Sequence, residues 1–434
     1  MAYVLTICIL ACAGMIALTL AKPDIKVKGL KLGTYWIITL LGAALLLAFR
    51  FISFGEVWDG LTSHAAINPL KILVLFISMT VLSIFLDETG FFKYLANAVL
   101  KRAGQNQITL FTAFYVTISL VTVFTSNDII ILTFTPFICY FAKNARVSPI
   151  PYLVSEFVAA NTCGMLLIIG NPTNIYLATA NGIGFMDYLA VMALPTLFAF
   201  LAAYIVMLLL FINKLNKPIT GASTEVRIRQ KPLLIIGLAL LSGCTALLVI
   251  SSYINIEMWL IACLSAAALT AAVLLFCAVK KSSPRELGRT YKRAPWELVP
   301  FVISMFTMVL ALEKYEVTIR LASFIGESHT ILIYGVTSTL FANLVNNIPM
   351  SVFFSSVLQN LSPAVLTSGV YAVIIGSNIG AFLTPIGALA GIMWLSILKK
   401  TGVEFSFLKF LKYGVIIAVP VLLAALTGLM ISLA

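Results

Sequence analysis

The sequence predicts an all-α integral membrane protein made of two inverted-topology repeats, with about ten spanning helices, two re-entrant hairpins and broken helices at mid-membrane. Three observations predict it. The 434-residue chain is 61% hydrophobic and only 10% charged, with a mean hydropathy of +1.07; soluble domains carry roughly 25% charged residues. Polar clusters interrupt its apolar segments: Ser126-Asn127-Asp128, Asn161-Thr162 and Gly170-Asn171-Pro172-Thr173-Asn174. The clusters recur at nearly the same spacing as Asn346-Asn347-Ile348-Pro349, Ser377-Asn378 and Thr384-Pro385-Ile386-Gly387. A polar backbone break in hydrocarbon persists only where protein or a water-filled cavity covers it. Matching breaks in two halves point to the substrate site of a secondary transporter.

Apolar runs place spans near 2–21, 33–54, 70–87, 152–181, 187–212, 233–251, 257–279, 296–313, 365–398 and 410–433. The opening run lacks a basic leader and reads as a first span rather than a cleaved signal. Segments 108–142 and 330–359 differ, each being two short arms around a polar tip. An arm of about 15 residues covers ~22 Å, short of a ~30 Å hydrocarbon core, so both read as hairpins. The breaks at 161–174 and 378–387 interrupt the spans 152–181 and 365–398. The halves are then 1–212 and 233–434, joined by a polar, basic linker at 213–232.

Charge selects hairpins over pairs of ordinary spans, which would leave Lys-rich loops on both faces. With hairpins, all of the 28 Lys and Arg except Arg50, Lys71, Lys314 and Arg320 fall on one side. The positive-inside rule makes that side cytoplasmic, with both termini outside. Five crossings per half then invert the second half relative to the first. The net charge of +12 is thus explained by membrane orientation, and no nucleic-acid partner is implied. The basic segments 213–231 and 280–293 read as solvated loops facing anionic lipid. Trp36, Trp296 and Trp394 near inner ends, and Trp58 and Trp259 near outer ends, read as interfacial anchors.

Hairpin tips and helix breaks bring free helix ends to mid-membrane, where N-termini suit anions and C-termini suit cations. Helices are expected to begin after Asp128, Pro172, Pro349 and Pro385, proline being harmless in a first turn. The substrate-binding candidates are Ser126, Asn127, Asn161, Thr162, Asn171, Thr173, Asn174, Asn346, Asn347, Ser377, Asn378 and Thr384. Their amides and hydroxyls both donate and accept without adding charge. Gly170, Gly380 and Gly387, with Gly376, allow tight turns or close backbone approach; Gly170, Pro172, Pro349, Gly380, Pro385 and Gly387 mark the breaks. Asp128 is the acid placed deepest, suited to carry H⁺ or coordinate Na⁺. Glu156 is expected near the aqueous interface and solvated. Asp87-Glu88 and Glu313 sit at the ends of equivalent spans and read as interfacial caps or hinges. The seven cysteines lie in apolar segments without a CxxC pair, and His64 and His329 fall on outer loops, so no metal site is expected. No HExxH, GxSxG or P-loop occurs, which removes the usual routes to hydrolysis and ATP coupling.

These residues resemble the ion transporter superfamily, in its arsenite-permease and NhaD-type antiporter branch of citrate-transporter-like permeases. The stretch 376–394, GSNIGAFLTPIGALAGIMW, is similar to the permease pattern G-x-D-L-G-x-x-x-T-P-I-G-S-L-A-x-x-x-W. Asn346-Asn347-Ile348-Pro349 is similar to its T-N-N-L-P tip, and Asn127-Asp128 with Thr135-Pro136 to its N-D-…-T-P hairpin. The resemblance spans about 70–414. Where that pattern carries Asp, this chain has Asn161 and Asn378, which makes the cavity less negative and favours an anionic solute over arsenite with proton antiport. The dicarboxylate branch carries Ser-Asn-Thr at both tips, and the match to it is partial. The resemblance implies an ion-coupled transporter, using H⁺ or Na⁺ and no bound cofactor, for a small inorganic oxyanion or metalloid. A dicarboxylate or citrate-type carrier and a Na⁺/H⁺ antiporter remain open, as does a passive channel from another class. It also implies a homodimer in the lipid of the cytoplasmic membrane, and leaves open an associated ATPase subunit.

Overall fold

A computed structural model describes residues 1–22, 24–27, 30–62, 68–103, 106–216, 230–251 and 253–434. Most of the expected linker, and His64, lie outside the described residues. The first half runs α1 (Ala2–Ala21), a short hairpin of β1 (Asp24–Val27) and β2 (Leu30–Gly33), α2 (Thr34–Ala48), α3 (Phe54–Thr62), α4 (Pro69–Glu88), α5 (Phe91–Ala103), α6 (Gln107–Val123), α7 (Asn127–Ala145), α8 (Ile150–Cys163), α9 (Pro172–Ala180) and α10 (Phe185–Leu215). The second half runs α11 (Lys231–Val249), α12 (Met258–Val279), α13 (Arg285–Arg293), α14 (Leu298–Lys314), α15 (Val317–Ile325), α16 (Thr330–Val345), α17 (Asn347–Leu358), α18 (Pro363–Gly380), α19 (Leu389–Thr401) and α20 (Phe407–Ser432). Helix for helix, α1–α10 recur as α11–α20. The fold is helical throughout apart from the two-stranded ribbon, and its halves are inverted-topology repeats.

The hairpins are α6–α7 and α16–α17, and the broken spans are α8–α9 and α18–α19. Their ends are set by capping chemistry. Asn106, Ser126, Asn171 and Asn346 each accept a backbone N–H of the helix they precede, satisfying donors that hydrocarbon cannot. Pro172 occupies the first turn of α9. Three expected starts shift: α7 and α17 begin on the Asn of each tip, and α19 begins at Leu389 rather than after Pro385. Residues 381–388 make turns instead, because Thr384 is held by Asn343 and cannot enter a helix.

The repeats interlock. Helix α4 packs on α12 and α14 on α2, while α10 lies along α20. Charged latches close α4 and α14 in mirrored fashion. At the end of α4, Asp87 and Glu88 pair with Arg293 of α13 at 2.7 and 2.5 Å. At the end of α14, Lys314 pairs with Glu56 of α3 at 2.7 Å. The segment 280–293 is therefore not simply a solvated loop: it contains helix α13, because Leu287 and Thr290 are buried while its bases face outward and reach α4. Asp87-Glu88 serves as one side of a latch. At the opposite end of α4, Lys71 pairs with Glu257 at 2.6 Å. There the α9–α10 and α11–α12 turns join α4 around a cavity of about 550 Å³ lined by Asn68, Lys71, Gly182, Asn255, Glu257 and Trp259. These loops share one face, as the charge reading required.

Candidate substrate site at the hairpin tips and helix breaks

The first tip is held by its neighbouring broken span. Ser126 caps α7, and the Asp128 N–H is shared between Ser126 Oγ (3.4 Å) and Asn127 Oδ1 (3.0 Å). Asn127 Nδ2 donates to Asn161 Oδ1 at 2.9 Å, and Asn161 Nδ2 donates to the Phe157 carbonyl. Both amides are buried, while Asp128 is half-buried in the first turn of α7.

Each break turns on a pair of glycines. A Cβ on Gly170 would lie 2.2 Å from the Gly164 carbonyl oxygen, and one on Gly387 would lie 2.3 Å from that of Gly380. Only a residue without Cβ lets the chain fold back this tightly. In the first repeat, Asn174 Nδ2 then satisfies the freed carbonyls of Gly164 (2.9 Å) and Leu167 (3.3 Å). In the second, Asn343 Nδ2 reaches the Gly380 carbonyl at 3.0 Å while its Oδ1 accepts from Thr384 N and Oγ1. The second tip is tied to the same break. Asn347 N–H donates to the Gly387 carbonyl, and Asn346 Nδ2 to that of Ile386.

The repeats meet through an amide triad. Asn171 Nδ2 donates to Asn378 Oδ1 at 2.9 Å, and Asn378 Nδ2 donates to Asn174 Oδ1 at 2.7 Å. All three are almost fully buried. Beside the triad, the N-terminal turns of α9 and α17 face a small cavity of about 20 Å³ lined by Pro172, Thr173, Tyr176, Ile348 and Ser351, with Ile72 and Phe76 of α4. That is roughly the room of one water, so the site is occluded. Ile72 also lines the cavity of about 550 Å³ at the end of α4, placing it at the closure between the two spaces. The hydroxyls of Thr162 and Thr173 are buried without a partner, and the Ser351 and Ser377 hydroxyls are 3.4 Å apart. Pro349 lies in the first turn of α17 and Pro385 within the second break. The pseudo-equivalent of the α9–α17 contact is α19 against α7, the end where Asp128 sits.

Sequence reasoning missed or misplaced four residues here. Asn343 organises the second break; its signal was a polar residue one turn before the tip in an otherwise apolar arm. Glu156 is a correction: expected to be solvated, it is fully buried, with Thr135 Oγ1 donating to its Oε1 at 2.8 Å. Thr135, on α7 just before Pro136, was noted only as part of a motif. Trp394 is a second correction. It is 1% exposed, packed among Phe157, Phe405 and Phe410 at centroid distances of 5.3, 5.0 and 5.6 Å, and not an interfacial anchor.

What the arrangement can do follows from its parts. Two helix N-terminal turns, from opposite repeats, border one cavity, where the helix dipoles favour negative charge. Its wall is mostly apolar, with Thr173, Tyr176 and Ser351 as the polar members, and the amides of the adjoining triad can switch between donor and acceptor partners. No cluster of His, Cys, Asp and Glu suited to a metal ion occurs among the described residues.

The chain is similar to known membrane proteins over nearly its whole length. An arsenical pump membrane protein of Escherichia coli is 27% identical to this chain, covering 94% of it and 95% of its own length. A putative arsenical pump membrane protein of Bacillus subtilis is 26% identical, covering 82% and 86%. The crystal structure of the Alcanivorax borkumensis YdaH transporter has the same fold, with a TM-score of 0.57 at 15% identity over 99% of this chain and 97% of that one. The family model described as citrate transporter matches residues 33–371, and this chain, a multi-pass membrane protein, belongs to that family of transporters.

Proposed function

We propose that this chain is an ion-coupled secondary transporter that moves a small inorganic oxyanion or a metalloid hydroxide, of the arsenite or antimonite type, out across the cytoplasmic membrane. The observation that carries this is the meeting of the α9 and α17 N-termini at one occluded cavity beside the Asn171–Asn378–Asn174 triad. An oxyanion suits the helix N-termini. A neutral metalloid hydroxide, which both donates and accepts, suits the amides and the unpartnered Thr162 and Thr173 hydroxyls. The arsenical-pump names of two relatives support the same solute class. A larger citrate-type anion would need the cavity to open much further. Two hairpins entering from opposite faces suit alternating access better than a continuous channel, and the residues suit binding and movement of a solute rather than its chemical conversion.

In this reading the coupling ion, H⁺ or Na⁺, binds at Asp128. The chain sits in membrane lipid as a homodimer, with both termini outside, and works with or without an associated ATPase subunit. The test is concentrative transport by the purified protein in liposomes. Arsenite or antimonite should accumulate against its gradient when an ion gradient is imposed. Accumulation of citrate or dicarboxylates alone would replace the substrate assignment, and purely downhill flux would make the protein a channel. For sidedness, a cysteine at Ser283 should be labelled from the cytoplasm and one at Ser328 from outside.

A further inference from the structure

Glu156 is the charged-type residue that the transport reading leaves without a task, and its surroundings are unusual. It lies on α8 five residues before Asn161, the partner of the first hairpin tip. It is fully buried and has one hydrogen bond, from Thr135 Oγ1. Its second oxygen, Oε2, has no well-formed hydrogen bond, and neither does the indole Nε1–H of Trp394, which interacts with the same carboxyl from α19. Three elements of the site therefore converge on one carboxyl: the hairpin helix α7, the broken-span arm α8 and the opposite repeat's broken-span arm α19.

Other charges stand back from it. On α7, Asp128 lies about two turns above Thr135 and Lys143 about two turns below, and Cys139 is the nearest titratable neighbour on that helix. On α8 itself Tyr152 turns to Gln107. Helices α6 and α18 contribute Tyr115 and Tyr371 but no charged side chain. Helix α10 carries Asp187 and Lys214 only near its ends, α19 carries Lys399 and Lys400 only in its last turn, and α20 carries Lys409, Lys412 and Tyr413 in its first two turns. No ion pair involves Glu156 among the described residues. An isolated carboxylate buried among Phe157, Phe410 and Trp394 would be very unfavourable. The neutral acid fits: Oε1 accepts from Thr135, and Oε2 carries the proton.

We propose that Glu156 is a proton-carrying group of the transport cycle, and that Trp394 is the donor held in reserve for its ionised form. This deepens the transporter reading above, on which it rests, and adds a proton site distinct from Asp128. In the occluded state the acid is protonated. When α7, α8 and α19 separate towards water, the proton leaves Oε2 for water. The carboxylate left behind draws the Trp394 N–H onto Oε2 while keeping the Thr135 bond. Reclosing the bundle needs the proton back. Proton occupancy is thereby linked to the packing of α19 on α7 and α8, and through Asn161 to the tip at Asn127. Room for a hydrated cation is not needed, and the dry aromatic wall disfavours one.

Glu156→Gln mimics the permanently protonated acid. In liposomes of the purified protein it should keep substrate counterflow within about twofold of wild type, yet lose pH-gradient-driven accumulation about tenfold or more. Trp394→Phe should leave substrate KM in place. It should move the midpoint of the pH profile upward by about one unit, the size of one charge-assisted hydrogen bond. A carbodiimide, which modifies protonated buried carboxyls, should label Glu156 in the wild-type protein, and labelling should fall as pH rises. Unchanged pH-driven accumulation in Glu156→Gln would overturn the inference. If that variant fails to fold, absence of carbodiimide labelling at Glu156 in the wild type overturns it instead. A wild-type protein that moves no arsenite, antimonite or other oxyanion would refute the transporter assignment, while the labelling still reports on the proton at Glu156.

Discussion

Removing the Asn378 amide should cost more than any other single truncation at the centre of the molecule. Its Oδ1 accepts from Asn171, and its Nδ2 donates to Asn174 and to the Ile374 carbonyl. All three asparagines are at most 2% exposed, so water cannot replace what Asn378→Ala removes. The substitution strands Asn171 Nδ2 and Asn174 Oδ1. Each unsatisfied buried group costs about 1–3 kcal/mol, giving a loss of roughly 2–6 kcal/mol before any cavity term. Asn171 Oδ1 still caps Thr173, and Asn174 Nδ2 still holds Gly164, so each break should survive locally while the register between the repeats loosens. The assay is reversible unfolding of the purified protein in detergent, with Asn360→Ala as control. Asn360, in the turn after α17, donates its side chain only to carbonyls of that helix's last turn, Ser356 and Val357, and its truncation should cost less than about 1 kcal/mol. A double-mutant cycle with Asn171→Ala should give a coupling of at least about 0.5 kcal/mol. If Asn378→Ala is no worse than Asn360→Ala, or the cycle shows no coupling, the triad does not join the repeats.

Two further outcomes follow from the geometry. Gly170→Ala and Gly387→Ala should each abolish transport, and at least one should express poorly, because the added Cβ meets a carbonyl oxygen at 2.2 or 2.3 Å; Gly243→Ala, whose Cβ meets nothing within 4 Å, should be neutral in both expression and flux. The Glu56–Lys314 latch should resist acid: Lys314 and the Ser53 N–H and hydroxyl hold the Glu56 carboxyl down at about 2. Because this group is depressed, its contribution is present above the ordinary carboxylate range and fades only as pH falls towards about 2. The distance between spin labels attached beside Glu56 and Lys314 should therefore be constant from neutral pH down to about 4, and a lengthening near pH 5 would show the latch to be weaker than this.

The architecture was legible in the sequence wherever an apolar run was interrupted by residues with a backbone reason to be there. Asn, Gly and Pro at 126–128, 161–174, 346–349 and 377–387 mark caps and close approaches, and the hairpins and breaks lie at those positions. Depth within the bundle was less legible. Glu156 and Trp394 were placed by their distance from Lys-rich loops, yet both are sealed by α7, α8, α19 and the start of α20, a packing no single segment reveals. Residues 285–293 looked like a loop because bases dominate it, while only Leu287 and Thr290 anchor its buried face. Asn343 was overlooked since it precedes the tip rather than forming it, although its bond to the Gly380 carbonyl corresponds to that of Asn174 to Gly164.

The repeats share a backbone plan but divide the chemistry unequally, and this inequality can be tested. Asp128 follows the first tip at α7, and its counterpart in the second repeat is Asn347 at α17; α7 packs on α19 as α17 packs on α9. Glu156 has Val373 as its counterpart, five residues before Asn378 as Glu156 is five before Asn161. Both acids thus belong to the first repeat. The second hairpin tip can bind a solute but carries no acid, so ion dependence should be carried by the first hairpin only. Asp128→Asn should change the H⁺ or Na⁺ response of transport while leaving substrate counterflow measurable, since Asn is also an adequate first-turn residue. Asn347→Ala should weaken substrate affinity, by roughly the 1–3 kcal/mol of an unpaired polar contact, and leave the ion response as in wild type. Flux measured over matched series of pH, Na⁺ and substrate separates the two effects. If Asn347→Ala shifts the ion dependence as much as Asp128→Asn, or if neither shifts it, the coupling ion does not bind at the first tip.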